Sequence, residues 1–181
     1  AMITEIGTGF VKAEILKKMK NKSESKKETI LYCAILKKEN FEGAAQKATE
    51  AGIKKIIPII TDKTVKLNLN MERIGKIVKE AAEQSGRGIV PEISEPVDFD
   101  AALESAKQND LNLFFTGNAP MIELKKIKVG QVGIFIGPEG GWSEREEKAA
   151  KKNKFQSAGL GKLTLRSETA ATVASFICSQ M

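Results

Sequence analysis

The chain has 181 residues, 41% hydrophobic and 29% charged, and an excess of Lys and Arg over Asp and Glu gives a net charge of +6. That length holds one well-cored domain with room for a small appendage; no apolar run approaches the roughly 18 residues of a membrane span, and no secretory-signal pattern is visible. The absence of histidine removes Ser-His-Asp and Cys-His catalysis together with the commonest zinc ligand. The basic excess suits a polyanionic partner, although plain surface charge reads the same way. Cys33 and Cys178 lie far apart and are each flanked by apolar residues, the pattern of buried reduced thiols in a cytosolic protein.

Ile6–Leu16 reads as one short strand. It is followed by a lysine-rich run (Lys17, Lys18, Lys20, Lys22, Lys26 and Lys27) broken by serines, the composition of a solvated connection. Thr29–Leu36 is a continuous apolar run, as in a strand covered on both faces. Phe41, Ala44, Ala45, Ala48 and Ala51 share a helical face, and Gly52 is placed to end that helix. Lys55–Ile60 is the next strand, where Pro58 implies an edge or a bulge. Residues 71–85 predict a helix with Met71, Ile74, Ile77, Val78, Ala81 and Ala82 as its buried stripe, an outer Glu72–Lys76 pair, and Gly86 to close it. Pro91–Ile93 is a brief extended piece. Phe99, Ala102, Leu103 and Ala106 then mark a helix, and Leu111–Thr116 a strand before Gly117. This alternation predicts an α/β domain with a mostly parallel sheet flanked by helices.

The last third carries the chemistry. Val132–Ile136 is a strand pattern ended by Gly137-Pro138-Glu139-Gly140-Gly141, and Ser143 with Glu146 has the capping-box spacing that starts a helix. A second small-residue loop, Leu160–Arg166, runs into Ser167, a candidate N-cap. Behind it Ala170, Val173, Ala174, Ile177, Cys178 and Met181 recur at helical spacing. Gly-Pro-x-Gly-Gly alone is as readily a plain turn as a ligand loop. Two such loops, each feeding a helix beyond a strand, point to a ligand site at the carboxyl edge of the sheet. Walker A, G-x-G-x-x-G and nucleophile-elbow patterns all fail, at Gln156, Thr164 and Arg145 respectively. Arg166, a cation at a helix start, sits where the helix dipole disfavours it. Either it serves the site or it pairs with Glu168 or Glu139.

Together, G-P-E-G-G-W-S-x-x-E from Gly137 and L-G-x-x-x-L-R-S-E-T-A from Leu160 resemble the RsmE family of SPOUT-class RNA methyltransferases. Gln46–Gly52 and Glu80–Arg87 match the family too, so the likeness runs from about Leu31 to the end. It implies S-adenosylmethionine as cofactor, methylation of a uridine N3 in small-subunit (16S) ribosomal RNA, a C-terminal trefoil knot, a homodimer, a cytoplasmic location, and no metal or membrane. It also implies an N-terminal PUA-like RNA-binding barrel, of which residues 1–28 look like a remnant and basic linker; residues 29–181 are then the methyltransferase domain. The rivals are a SPOUT enzyme acting on ribose 2′-oxygen or on transfer RNA, and a non-catalytic RNA-binding or ribosome-assembly module.

By the same likeness the cofactor is expected among three loops: Thr116 and Gly117; Ile136, Gly137, Pro138, Glu139, Gly140 and Gly141; and Leu160, Gly161, Leu163 and Leu165, with Thr169 just beyond. The leucines read equally as core. Arg166, Arg87 and Glu139 are the catalytic candidates: a cation near O2 or O4 to stabilise the uracil anion, and a carboxylate, Glu139 or Glu168, to take the N3 proton. Glu168 reads equally as an ordinary first-turn carboxylate of a helix. Arg87 also reads as a solvated arginine past a helix end. The family pattern is departed from at Lys63-Thr64-Val65 and Lys38-Glu39-Asn40, which bears on RNA contact rather than on methyl transfer.

Overall fold

Glycine at position 9, with φ +84°, turns the start of the chain back on itself. Where the sequence predicts one strand there are two, β1 (Met2–Gly7) and β2 (Phe10–Glu14), an antiparallel hairpin separate from the main sheet. Pairing sets Ile3 and Ala13, and Ile6 and Val11, opposite each other on one face; Glu5 and Lys12 pair on the other. The hairpin residues are exposed but for half-buried Gly7, so it has no core of its own. This computed structural model describes every residue except 20, 23, 38, 66, 67, 123–129 and 181. Lys20 of the lysine run, Lys38 and Met181 therefore lie outside the described residues.

The remaining elements are β3 (Glu28–Ala34), α1 (Asn40–Glu50), β4 (Lys55–Ile60), α2 (Met71–Gln84), β5 (Glu92–Ile93), β6 (Val97–Asp98), α3 (Phe99–Ser105), β7 (Leu111–Phe115), β8 (Gln131–Ile136), α4 (Glu144–Lys152), β9 (Gln156–Ala158) and α5 (Ser167–Ser179). Among the described residues they form one seven-stranded sheet, ordered β5-β4-β3-β8-β7-β9, with β6 also on β4 and every pairing parallel. From Ile30 and Val132 onward central β3 and β8 are apolar, because both faces are covered, as in parallel sheets. Pro58 needs neither an edge nor a bulge. β4 is an interior strand, and Pro58 falls opposite the gap between β5, paired with Lys55 and Ile56, and β6, paired with Ile59 and Ile60.

Aromatic rings fill the layer behind the β3–β8 seam. Tyr32 and Phe135 stack with centroids 4.2 Å apart, and Phe114 stacks on Trp142 at 4.3 Å. α4 begins with the expected capping box: Ser143 Oγ accepts from Glu146 N, and Glu146 Oε2 accepts from Ser143 N. α5 buries Ser167, Ala171, Ala174, Ser175 and Cys178; Val173 and Ile177 are half-buried, and Phe176 is 58% exposed. Its inner face is thus rotated from the apolar stripe read in the sequence. The face toward β3 and α1 takes small side chains, down to a Thr29–Ser179 hydroxyl contact of 3.3 Å that only a close-lying helix reaches.

Candidate functional site

Four neighbouring strands end at one place. β3 runs out toward Lys37, β8 into Gly137, β7 into Thr116, and β9 toward Leu160; a cavity of about 760 Å³ opens beyond them. Its volume lies within the roughly 300–1,000 Å³ of small-molecule sites. The place is where open α/β sheets bind ligands, at the seam between halves that wind in opposite directions.

Thr116, Gly117, Ile136, Gly137, Pro138, Glu139, Gly141, Leu160, Gly161, Leu163, Leu165 and Arg166 all line this cavity. Gly140, Thr169 and Arg87 do not. A Cβ on Gly140 would lie 3.3 Å from Lys63 Cδ, so that glycine makes room for a lysine rather than for a ligand. Thr169 is on the exposed side of α5. Arg87 is committed elsewhere: one of its nitrogens donates to the Thr49 and Ile53 carbonyls at 3.0 and 2.6 Å, and the others bond Glu24. With its side chain 6% exposed it is not a solvated arginine either. It joins the two family-matching stretches at 46–52 and 80–87.

Each wall has a physical reason. Gly141, at φ +68°, occupies a conformation that other residues rarely adopt. Gly137 lies flat on the indole of Trp142, which would be 3.0 Å from an added Cβ. Trp142 in turn donates from Nε1 to the Phe115 carbonyl at 2.9 Å, tying the ends of β7 and β8 together beneath the cavity. Leu163 is 83% exposed at the opening, which removes its reading as core.

The sequence reading missed the groups that hold the 137–142 loop in place. Lys63 Nζ donates to the Gly140 and Trp142 carbonyls, both at 3.0 Å. Asp62 N donates to the buried Glu146, and Asp62 accepts from Ser143 Oγ and from Arg145, which also reaches Asp100. Hydrogen bonds from Arg145 first, then from Ser143, hold the Asp62 carboxyl below its usual range despite some burial. Lys63, read as bearing on RNA contact, is thus a prop of the glycine loop. Its signal was the departure from family pattern, whose meaning needed the fold. Lys37 and Asn40 complete the wall from β3; their signal was a position just past a strand end.

Charge inside the cavity is mixed. Arg166 is exposed, and its side chain makes no hydrogen bond or ion pair with a described residue. Burial pushes Glu139 up, but hydrogen bonds from the Lys37 amide, its own backbone and the Asn40 side chain, with the Lys37 charge, outweigh it and leave the carboxyl below its usual range. Burial and the nearby Glu139 and Glu168 carboxylates push the Cys33 thiol up to about 12. Among the described residues no group of three or more Cys, Asp and Glu is placed to hold a metal ion, and no helix is long and apolar enough to cross a membrane.

Residues 23–179 match the family model described as RNA methyltransferase domain. The chain is similar to ribosomal RNA small subunit methyltransferase E of Mesomycoplasma hyopneumoniae, at 38% identity over 88% of this chain and 73% of the relative. It is similar to the protein of the same name from Synechocystis at 35% identity over 90% of this chain; there it spans 56% of the relative's length. The crystal structure of the Neisseria gonorrhoeae enzyme of that name bound to S-adenosylmethionine superposes with a TM-score of 0.86 at 32% identity, covering 96% of this chain and 74% of that one.

Proposed function

Because the chain belongs to the RNA methyltransferase domain family that includes ribosomal RNA small subunit methyltransferase E, we propose that it transfers the methyl of S-adenosylmethionine to N3 of a uridine in small-subunit ribosomal RNA. The observation that carries this is the cavity: three loops converge at the carboxyl edge of the sheet, with an arginine at its wall whose side chain pairs with no described residue. The residues fit the cofactor. Gly137, Gly141 and Gly161 leave backbone groups bare to meet an adenine edge, Ile136, Leu160 and Leu165 supply apolar surface, and carboxylates face a ligand that carries positive charge. The cofactor supplies an already electrophilic methyl, so the protein's task is alignment and control of charge. Arg166 offers donors to the uracil oxygen on which negative charge grows as N3 loses its proton, the role of an oxyanion donor.

The reading extends to the finer architecture. The C-terminal segment is trefoil-knotted: in support, β8 and β9 lie on either side of β7, and the 160–166 loop then returns to set α5 against β3 and α1. Residues 1–28 are the tail of an RNA-binding barrel, and the half-apolar hairpin supports this. The enzyme works as a homodimer in the cytoplasm, where its RNA is, and the outward Val173, Phe176 and Ile177 are the pairing face.

The deciding experiment incubates the purified chain with unmethylated small ribosomal subunits and S-adenosylmethionine, then maps the methyl by nuclease digestion and mass spectrometry. N3-methyluridine is expected. A ribose methyl would move the chain to the 2′-oxygen class, and cofactor binding without any transfer would favour a non-catalytic RNA-binding module.

A further inference from the structure

Among the described residues three carboxylates line the cavity, and two are accounted for by their surroundings. Glu139 accepts from the Lys37 amide at 2.9 Å and is bonded by Asn40, so its lone pairs are engaged. Glu147 is exposed in the first turn of α4, where water satisfies it. Glu168, the second residue of α5, differs. Its Oε2 is sealed from solvent, and neither oxygen accepts a hydrogen bond from a described residue. A dry carboxylate oxygen without a donor is destabilising, a cost folds carry chiefly at functional sites. The start of a thirteen-residue helix makes the negative charge itself tolerable there.

The other candidate bases fall away on the same evidence. The chain has no histidine. Lys37 and Arg166 are cations, and the hydroxyls of Thr116, Thr164 and Ser167 are too weakly basic. Cys33 lies close enough to both Glu139 and Glu168 to feel their charge, and it stays a thiol. Resting on the uridine-N3 reading, we propose that Glu168 is the proton acceptor of the reaction, a carboxylate on the cavity wall that accepts no hydrogen bond from a described residue and so is free to take the proton of the target base's imide N–H. The N3–H bond breaks and its proton goes to the Glu168 carboxylate. The freed nitrogen pair forms the bond to the methyl carbon, and the electron pair of the broken carbon–sulfur bond stays on sulfur. Atoms and charge balance with no further reagent: a sulfonium becomes a thioether and a carboxylate becomes an acid, which releases its proton to solvent when the product leaves.

The test compares single-turnover methylation of small subunits by the wild-type chain, Glu168→Gln and Glu139→Gln between about pH 6 and 9, with S-adenosylmethionine affinity by calorimetry and melting temperature without ligand. Glu168→Gln is expected to bind the cofactor within about threefold of wild type, to melt no lower, and to lose about 10²- to 10⁴-fold in rate at neutral pH. Its remaining rate should climb about tenfold per pH unit, because only base that has already ionised in solution can then react, whereas the wild-type rate is nearly flat. Glu139→Gln should keep the flat profile. A wild-type methyl found anywhere but uridine N3 removes the uridine reading and this proposal with it. Wild-type N3 methylation that survives Glu168→Gln within threefold overturns this proposal alone. So does a variant that keeps the flat profile but binds cofactor tenfold or more weakly, which would make Glu168 a cofactor ligand.

Discussion

Arg166 and Lys63 look alike in the sequence, as basic residues near glycine loops, and the structure gives them opposite work. The Arg166 side chain is exposed, pairs with no described residue and lies on the cavity wall, so its removal should take little from the fold. Arg166→Ala should leave S-adenosylmethionine affinity within a few fold and lower the methylation rate about 10²-fold or more, the scale of losing one oxyanion donor; a variant that instead loses thermal stability at full rate would make Arg166 structural. Lys63 does not touch the cavity but holds two carbonyls of the loop that forms it. Charge-assisted bonds of this kind are worth about 1.5–3 kcal/mol, less where water competes, as at this exposed lysine. Lys63→Met should therefore weaken cofactor binding by about tenfold without altering the pH profile of transfer, as calorimetry and single-turnover assays would register. Gly141 was legible as part of a cavity loop only because two small-residue loops, each feeding a helix, were read together. The work of Lys63 and Trp142 was not, because it depends on partners across the cavity, and no local pattern encodes those. Glu168 was legible as a carboxylate that takes the proton or merely suits a helix first turn, and the sequence could not choose between Glu168 and Glu139.

Elements were legible where burial is two-sided or strongly periodic. β3, β8 and α2 fall where the apolar patterns put them, since in a covered parallel sheet each residue of the strand is apolar whatever its direction. α5 was found, but its inner face was not. Hydrophobicity singles out Val173 and Ile177, while close packing on β3 and α1 selects the small Ala171, Ser175 and Ser179. The N-terminal hairpin was missed because a Thr-Gly turn was read through as strand. Its tether was missed as well: Glu24 and Arg87 form an ion pair at 2.9 Å, 14% and 6% exposed, while Asn21 bonds the Gly86 carbonyl. Burial raises the Glu24 carboxyl, but the hydrogen bonds and charge of Arg87 and two backbone amides outweigh it, so the net shift is below the ordinary value of 4.5. The sign follows. The stabilisation is complete above the unfolded-state value and fades as pH falls through the lower folded value. Glu24→Ala should cost roughly 3 kcal/mol at neutral pH, the low end for breaking a buried pair. The gap to wild type should shrink on acidification below the ordinary carboxylate value, as chemical denaturation across that range would record.

At the scale of the molecule, the outer face of α5 presents Phe176 to solvent, with half-buried Val173 and Ile177 beside it. If two subunits meet there, Phe176→Asp places a charge in a dry contact and should shift the protein from dimer to monomer at micromolar concentration, read by light scattering. A wild-type monomer would refute the pairing face outright. The order of strands has a consequence of another kind. β3 is among the first parts of the domain to be made, but the strand on one of its sides, β8, cannot exist until residues 35–130 have followed it. Until then a largely apolar strand presents an open edge, which is the usual template for sticking to another chain. Distant parallel pairings also close slowly, because the connecting chain must be ordered before the contact rewards it. The nascent protein thus passes through a long vulnerable interval on the ribosome, and its yield in a cell should depend on elongation speed and on chaperones that shield that edge.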